Sequence, residues 1–334
     1  MKRAGLMDEQ LIACAQRAIA ERVFPGCVIG IVRQNGARAV LPLGNLTYDA
    51  DAPKVTENTI YDLASITKSI PLASLTLLLI ESGRLNLSLL VRDVMPELQN
   101  DFDATIEDLM RYRVAGPRMA HLPFQTFEEI RTHILETGFD GPPGESRYTN
   151  LPAFLLGLIV ERVSGEILPA LANKYFFEPL NMHDTTFFSH DTSRIAPTEI
   201  IGGKEIRGIV QDESARLFAK RRRAVGHAGL FSTAPNLLNF LEALLHVGHP
   251  MSHMCAIVAG AQKGLGWQVN EPWMGEYRSA KTFGKTGFTG TSILSDMEKG
   301  IGLVILSNRT YPNRPSDTAR INVFREDIAN IVTK

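Results

Sequence analysis

The first residues whose types and spacing could do chemistry are Ser65 and Lys68, at the start of an apolar run that continues to Ile80. Residues three apart on a helix lie on one face about 5–6 Å apart, so a lysine amine can reach the serine hydroxyl. A serine becomes a nucleophile when a base takes its proton, and lysine serves as that base when burial or a nearby cation lowers its pKa. The spacing predicts both groups within one helical turn. Taken alone, the two residues also fit an N-cap serine and a solvated lysine.

A second candidate is Tyr148-Thr149-Asn150, which follows the turn at Pro142-Pro143-Gly144. A loop after such a turn presents side chains to a cleft. The pattern Tyr-x-Asn is not specific by itself, because Tyr311-Pro312-Asn313 matches it as well. The position of Tyr148 after the turn makes it the better candidate.

A third candidate is Lys285-Thr286-Gly287, followed by Phe288 in a segment rich in glycine and threonine. Three fixed residues recur by chance less often than two, so this motif is the most specific of the three. The alternative for Lys285 is a charge on an edge strand that prevents aggregation.

The elements that must position these residues are predicted from periodicity. Strands are predicted at both ends of the chain, with the Asn35-Gly36 hairpin turn joining the first two. Helices are predicted between them, and Pro71 predicts a kink or irregular turn near Ser65 because proline removes a backbone donor. The pattern predicts one sheet built by residues 1–62 and 255–334 and a mostly helical lobe formed by residues 63–254. The predicted helices cover 8–22, 65–83, 105–112, 126–137, 151–163, 167–177, 236–247 and 317–332, and the predicted strands 27–32, 37–43, 265–269, 281–287, 291–294 and 300–307.

Composition limits the class of function. The 334 residues carry a net charge of −1, which gives no electrostatic reason to expect nucleic-acid binding. No apolar run reaches the roughly 20 residues of a membrane span, and the N-terminus does not resemble a signal peptide. Cys14, Cys27 and Cys255 form no metal or disulfide pattern, so no metal or cofactor is expected. A cytoplasmic protein is therefore expected, or a periplasmic one if a leader has been removed; the oligomeric state stays open.

Together and in this order, the three motifs resemble those of the penicillin-recognising serine hydrolases, in particular the class C β-lactamase branch with its esterases and D-Ala-D-Ala peptidases. Further similar stretches are Phe24-Pro25-Gly26, the segment from Leu155 to Gly165, and the segment from Gly226 to Thr233. The resemblance implies a β-lactamase/transpeptidase-like α/β (α+β) fold. In that fold an antiparallel sheet is flanked by helices, and the active-site cleft separates it from an inserted helical lobe.

The resemblance also implies catalytic roles. Ser65 would be the acylated nucleophile and Lys68 its activating partner. Tyr148 would shuttle the proton, and Lys285 would bias Tyr148 toward its phenolate or meet a substrate carboxylate. Whether Lys68 or Tyr148 first takes the proton stays open.

Substrate contacts are implied in the same way. Asn150 would bond a substrate amide carbonyl, and Thr286, beside Gly287, would contact a carboxylate. The backbone N–H groups of Ser65 and Phe288 would form the oxyanion hole. The expected function is hydrolysis of a small ester, amide or β-lactam through an acyl-enzyme. The alternative is a non-catalytic or slowly deacylating penicillin-binding or sensor protein with the same fold.

Two departures from the family concern substrate access. Residues 111–116 replace the His-Thr-Ser-Gly-like loop of many relatives, and Gln211 stands where relatives often have histidine before Asp212. Lys285, where many esterase-like relatives have histidine, favours substrates that carry a carboxylate.

Overall fold

The fold is known from a computed structural model, which describes residues 2–188, 192–249, 251–252, 258 and 264–334. Within them the α-helices are α1 (Lys2–Ala20), α2 (Ser74–Glu81), α3 (Val91–Val94), α4 (Ile106–Met110), α5 (Phe127–Thr137), α6 (Leu151–Ser164), α7 (Leu168–Ala172), α8 (Glu213–Ala219), α9 (Ala234–Leu245) and α10 (Ala319–Thr333). Short 3-10 helices cover Ala64–Lys68, Met119–His121 and Pro272–Met274, and π-helical turns cover Ser69–Ala73 and Asn173–Phe177.

The main sheet has six antiparallel strands in the order β2-β1-β10-β9-β8-β7. Two short antiparallel pairs, β3 with β6 and β4 with β5, lie outside it. The strands are β1 (Gly26–Arg33), β2 (Arg38–Gly44), β3 (Tyr61–Asp62), β4 (Glu199–Ile201), β5 (Lys204–Ile206), β6 (Phe231–Ser232), β7 (Gln268–Val269), β8 (Thr282–Thr286), β9 (Ser292–Asp296) and β10 (Ile301–Ser307). The sheet therefore joins strands from both ends of the chain.

The central strands of the sheet are buried on both faces, whereas the edge strands β2 and β7 are partly exposed. Along β1, Ile29 and Ile31 pack with the terminal helices α1 and α10, whereas Val28 and Val32 join the larger core that includes the helical lobe. This alternation follows from the period of two in a strand. The result is a central sheet with α1 and α10 on one face and the rest of the chain on the other.

Helix α9 packs directly on β1 and β10. A Cβ at Gly30 would lie 3.1 Å from Leu238, and one at Gly302 would lie 3.0 Å from Leu241, so glycine permits this close approach. Helix α9 falls within the segment 63–254 that the sequence assigns to the helical lobe, but it covers the sheet. The exact lobe boundaries stay a prediction, and residue 255 lies outside the described residues.

The predicted antiparallel sheet and helices are confirmed, with two local corrections. Helix α1 begins at Lys2, before the predicted start of this helix at residue 8. The single helix predicted from Ser65 is instead a 3-10 turn, a π turn and α2, because the chain is extended at Ile70 (φ −115°, ψ 112°) just before Pro71. The predicted irregularity at Pro71 is therefore confirmed.

The segment Ala64–Glu81 is, within the described residues, the one helical stretch apolar and long enough to cross a membrane by length and composition. In this fold 78% of that stretch is buried inside the protein, as in a core helix. Cys14 and Cys27 are buried free thiols, and Cys255 lies outside the described residues.

Candidate active site

The structure brings Ser65 and Lys68 together as the spacing predicts. The Lys68 Nζ lies 3.1 Å from the Ser65 Oγ, and the lysine side chain is fully buried. The amine also donates to the Asn150 Oδ1 at 2.8 Å and to the His227 carbonyl oxygen at 2.7 Å. These three acceptors match the three N–H groups of an ammonium ion. These contacts hold the lysine amine directly beside the serine hydroxyl.

The turn that presents Ser65 is strained and held by a buried carboxylate. Ala64 adopts a left-handed conformation (φ 47°), which costs a residue with a Cβ about 1–2 kcal/mol. The Asp62 carboxylate accepts from the Ala64 N–H at 2.8 Å and from the Gln211 N–H at 2.7 Å. Burial raises the pKa of Asp62 to about 6, although both N–H groups oppose that shift. Asp62 thus fixes the turn that exposes the serine.

Tyr148 lies beside this pair. The Lys68 Nζ is 5.3 Å from the centre of the Tyr148 ring. The Tyr148 hydroxyl interacts with Ser65 and Lys68. Desolvation alone would raise the pKa of Tyr148, but the charges of Lys68 and Lys285 outweigh it and hold that pKa below its ordinary value. Tyr148 is 56% exposed, so part of it is open to solvent. This placement suits a tyrosine that exchanges protons with both serine and substrate.

Lys285 reaches the same place from β8. Its side chain is only 3% exposed, and its Nζ lies 5.0 Å from the Tyr148 ring and 5.1 Å from the Tyr112 ring. The two rings are 5.3 Å apart. Burial lowers the pKa of Lys285 and the charge of Lys68 adds to this, whereas Tyr148 opposes it. Tyr112, from the loop that departs from the family pattern, therefore helps to enclose the second cation.

Behind Lys68 lies a hydrogen-bonded group of Lys68, Asn150, Asp212 and His227, called here the Lys68 cluster. The Asn150 Nδ2 donates to the Asp212 Oδ2 at 2.9 Å. The Asp212 Oδ1 lies 3.3 Å from the His227 Nε2 and accepts from the Ala215 N–H at 3.0 Å, which caps α8. Asn150 therefore links the amine of Lys68 to a carboxylate.

The charges in the Lys68 cluster balance. Burial lowers the pKa of His227 and Lys68 adds to the decrease, which keeps the imidazole neutral although Asp212 opposes the shift. Burial disfavours ionisation of Asp212, but its hydrogen bonds and the charge of Lys68 hold its pKa below the ordinary range. Because His227 is neutral, Lys68 supplies the charge that compensates Asp212.

Across the cleft, β8 leads into residues 287–291, called here the Gly287 loop. A Cβ at Gly287 would lie 2.1 Å from the Thr291 Oγ1 and 2.4 Å from the Leu63 oxygen, so only glycine fits between them. The Thr291 hydroxyl donates to the Leu63 carbonyl at 3.1 Å, and the Thr289 hydroxyl donates to the Asp62 carbonyl at 2.6 Å. The loop is therefore fastened to the turn that carries Ser65.

Of the remaining predicted residues, Thr286 and Phe288 lie at the end of β8, whereas Asn150 belongs to the Lys68 cluster. Phe288 is 41% exposed, and within the described residues its N–H takes part in no backbone hydrogen bond. The Thr286 hydroxyl and N–H both donate to the Gln268 Oε1, at 3.2 and 3.0 Å. One N–H of the Asn150 amide is used by Asp212. The substrate contacts of Asn150, Thr286, Gly287 and Phe288 stay predictions.

Sequence reasoning missed several residues that build this site. Asp212 was noted only for its neighbour Gln211, and the residue type gave no sign of its bond to Asn150. His227 is a buried packing residue whose carbonyl, a group that every residue has, binds Lys68. The one available signal for Asp212 was its place in the stretch where relatives often have histidine before the aspartate.

Comparisons with known proteins identify the family of the chain. The sequence model of the family described as Beta-lactamase matches residues 11–327. A curated relative from Escherichia coli (strain K12), described as a "Putative D-alanyl-D-alanine carboxypeptidase", is 26% identical over 334 residues, covering 84% of this chain and 76% of the relative. A relative with the same description from Salmonella schwarzengrund (strain CVM19633) is also 26% identical, covering 81% of this chain and 74% of the relative.

Solved structures share the fold. "EstCE1, a hydrolase with promiscuous acyltransferase activity" matches with a TM-score of 0.76 and 20% identity, covering 97% of this chain and 98% of that one. The class C beta lactamase from Rhodobacter sphaeroides matches with a TM-score of 0.72 and 19% identity, covering 96% and 98%. At these identities the likeness concerns the fold alone.

Proposed function

The chain belongs to the Beta-lactamase family, and we propose that it is a serine hydrolase that works through an acyl-enzyme on Ser65. The observation that carries this proposal is the 3.1 Å contact between the Lys68 Nζ and the Ser65 Oγ, beside a tyrosine that lies next to two buried lysines. The names of the curated relatives support a substrate of the D-alanyl-D-alanine type.

In this proposal Tyr148 is the base for acylation. Lys68 is assigned the role of a cation that donates to Ser65, Asn150 and the His227 carbonyl and so orients the hydroxyl. The Tyr148 phenolate takes the Ser65 proton while the Ser65 Oγ bonds to the substrate carbonyl carbon. Tyr148 then gives that proton to the leaving amine or alkoxide as the scissile bond breaks, which leaves the acyl group on Ser65.

The negative charge on the substrate carbonyl oxygen forms opposite the Gly287 loop. The N–H groups of Ser65 and Phe288 are the proposed donors, and loss of one such donor typically lowers kcat by about 10²–10³-fold. Water then attacks the ester carbonyl carbon with Tyr148 again as base, and the Ser65 Oγ leaves with the proton. This completes hydrolysis and restores the enzyme.

Lys285 supports a substrate that carries a free carboxylate. Its amine faces the two tyrosine rings, and within the described part of the chain no carboxylate forms an ion pair with it. Glu271 acts on Lys285 only through its charge, without a direct ion pair, so a substrate carboxylate in contact with the amine would lower the cost of burying this cation. We therefore propose small amides, esters or β-lactams with an acidic group as substrates.

The test compares hydrolysis of a peptide ending in D-alanyl-D-alanine with that of its C-terminal amide and of a simple ester. We expect faster hydrolysis of the free carboxylate, and no hydrolysis of any of the three by Ser65→Ala. Ser88→Ala, which removes an exposed serine hydroxyl outside the site, is the matched control and should keep wild-type rates. Activity that survives Ser65→Ala would contradict the nucleophile, and equal rates for acid and amide would contradict the carboxylate preference.

A further inference from the structure

The C-terminal helix α10 places a buried arginine behind the Gly287 loop. Arg325 is only 2% exposed, and its Nη2 donates to the Gly287 carbonyl at 3.1 Å and to the Thr291 carbonyl at 2.7 Å. Its Nη1 donates to the Asn322 Oδ1 at 2.8 Å. All three acceptors are neutral, so this guanidinium is held by carbonyl dipoles.

The charge of Arg325 is not compensated nearby. No carboxylate of the described residues forms an ion pair with it, and a second buried arginine, Arg309, lies close enough to act on it electrostatically. Burial and the charge of Arg309 lower the pKa of Arg325 to about 9, which leaves it charged at neutral pH. Burying such a charge without an opposite charge costs free energy of folding, unless the charge has a role that offsets this cost.

Arg325 donates to the carbonyl end of the peptide group that joins Gly287 to Phe288. The Gly287 carbonyl and the Phe288 N–H belong to the same planar amide, so a cation on the oxygen draws electrons from the nitrogen. Hydrogen bonds linked in this way strengthen one another by roughly 10–30%. The Phe288 N–H is a proposed oxyanion donor, and no described backbone carbonyl accepts it.

We propose that Arg325 is a positioning residue that polarises and orients the Gly287–Phe288 peptide, so that the Phe288 N–H becomes a stronger donor to the developing oxyanion. The part that concerns catalysis rests on the proposed function. The polarisation itself is a property of the resting protein and is tested separately.

Arg309 provides a natural contrast on the same loop. It is also buried, and its Nε donates at 2.8 Å to the Phe288 carbonyl, which belongs to the next peptide. Arg309 therefore anchors the loop without acting on the carbonyl that is joined to the Phe288 N–H. Replacing either arginine removes an anchor, but only the Arg325 change removes the charge from the Gly287 carbonyl.

The sequence permits a direct measurement of this polarisation. Only two peptide bonds join glycine to phenylalanine, Gly138–Phe139 and Gly287–Phe288. Protein labelled with carbonyl-¹³C glycine and ¹⁵N phenylalanine therefore gives two carbonyl-to-amide NMR correlations. The Gly138–Phe139 bond is an internal reference, because its amide donates to Asn100 and neither arginine bonds to it.

In Arg325→Met we expect upfield shifts of the Gly287 carbonyl ¹³C and the Phe288 amide ¹⁵N, with the Gly138–Phe139 correlation unchanged. Arg309→Met should leave the Gly287 carbonyl resonance in place. Arg325→Lys, which keeps the charge, should give a smaller shift and serves if the methionine variant does not fold. An unmoved Gly287 carbonyl in a folded variant would overturn the proposal whether or not the protein is a hydrolase.

Kinetics then test the catalytic part. A partial loss of one donor should lower kcat of Arg325→Met about threefold to tenfold with little change in KM, and Arg325→Lys should recover part of that loss. A shifted Gly287 resonance with unchanged kcat would overturn the role of Arg325 in catalysis while leaving the polarisation intact. A wild type that forms no acyl-enzyme would instead contradict the proposed function.

Discussion

The two walls of the cleft handle buried charge in opposite ways. In the Lys68 cluster, the ammonium of Lys68 is matched by the carboxylate of Asp212 through Asn150. On the side of the Gly287 loop, Lys285 and Arg325 are buried cations, and no carboxylate of the described residues forms an ion pair with either. One wall is close to neutral, whereas the other is positive.

This difference fits two chemical tasks. A neutral, fully hydrogen-bonded wall can hold a nucleophile and pass a proton with little rearrangement of charge. A positive wall stabilises a phenolate, a substrate carboxylate or an oxyanion, because fixed charges and dipoles act strongly where water is excluded. We interpret the cleft as a division between proton transfer on one wall and anion stabilisation on the other.

The largest effect should come from removing the positive charge of Lys285. In Lys285→Met, Tyr148 loses one of the two charges that lower its pKa, so its phenolate forms at higher pH. We expect kcat/KM near neutral pH to fall about 10²–10³-fold and the rising limb of the pH–rate profile to move to higher pH. Steady-state kinetics across pH measure both effects.

Lys281→Met is the control for this change, since Lys281 is an exposed lysine next to the same strand. It should leave the rate and the pH limb where they are in the wild type. A rising limb in Lys285→Met that stays in place would show that the charge of Lys285 does not tune the catalytic base.

A smaller effect should follow from removing the negative charge of Asp212 in the Lys68 cluster. Asp212→Asn retains a good N-cap for α8 but loses the carboxylate that accepts from Asn150. Hydrogen bonds to charged groups contribute about 1.5–3 kcal/mol, so kcat should fall about 10- to 100-fold. The free energy of unfolding should also fall, because the buried Lys68 loses its counter-charge. Glu213→Gln, at the adjacent exposed carboxylate, should stay near wild type in both assays. An Asp212→Asn protein with wild-type kcat would show that Lys68 needs no counter-charge.

The smallest effect concerns stability. Folding raises the pKa of Asp62 from 3.8 to about 6, so the native state binds more protons between these values. The stability contributed by this carboxyl therefore rises as the pH falls through about 6, and it is lost as the pH rises again. When the pH falls from about 7 to about 5, the free energy of unfolding of the wild type should rise by about 1 kcal/mol relative to that of Asp62→Asn. Urea unfolding of both proteins at the two pH values measures this change. If the difference in free energy of unfolding between them is the same at both pH values, the raised pKa of Asp62 is contradicted.

Local sequence patterns were sufficient for the motifs and most elements. Ser65 and Lys68 lie within one turn, so their contact follows from spacing, and Asn35-Gly36 forms the predicted turn between β1 and β2. The family resemblance was confirmed by the match over residues 11–327. These features depend on neighbours in the chain or on a shared pattern.

The supporting residues could not be predicted, because their partners are distant in sequence. Asp212 meets Asn150 across 62 positions, and Arg325 meets Gly287 across 38 positions. Arg325 lies in a helix whose pattern predicts only that one face is buried, and a buried arginine is an exception to that pattern. The contact of Arg325 with Gly287 depends on how α10 packs against the sheet.

The most direct test of the central claim is time-resolved intact-mass spectrometry of the protein mixed with a cephalosporin, followed by peptide mapping. We predict a transient or lasting adduct on the peptide that contains Ser65, absent in Ser65→Ala. Fast loss of the adduct with hydrolysed ligand would identify β-lactamase turnover, and a lasting adduct would indicate a penicillin-binding peptidase or sensor. An adduct on another residue, or ligand hydrolysis by Ser65→Ala, would contradict an acyl-enzyme on Ser65.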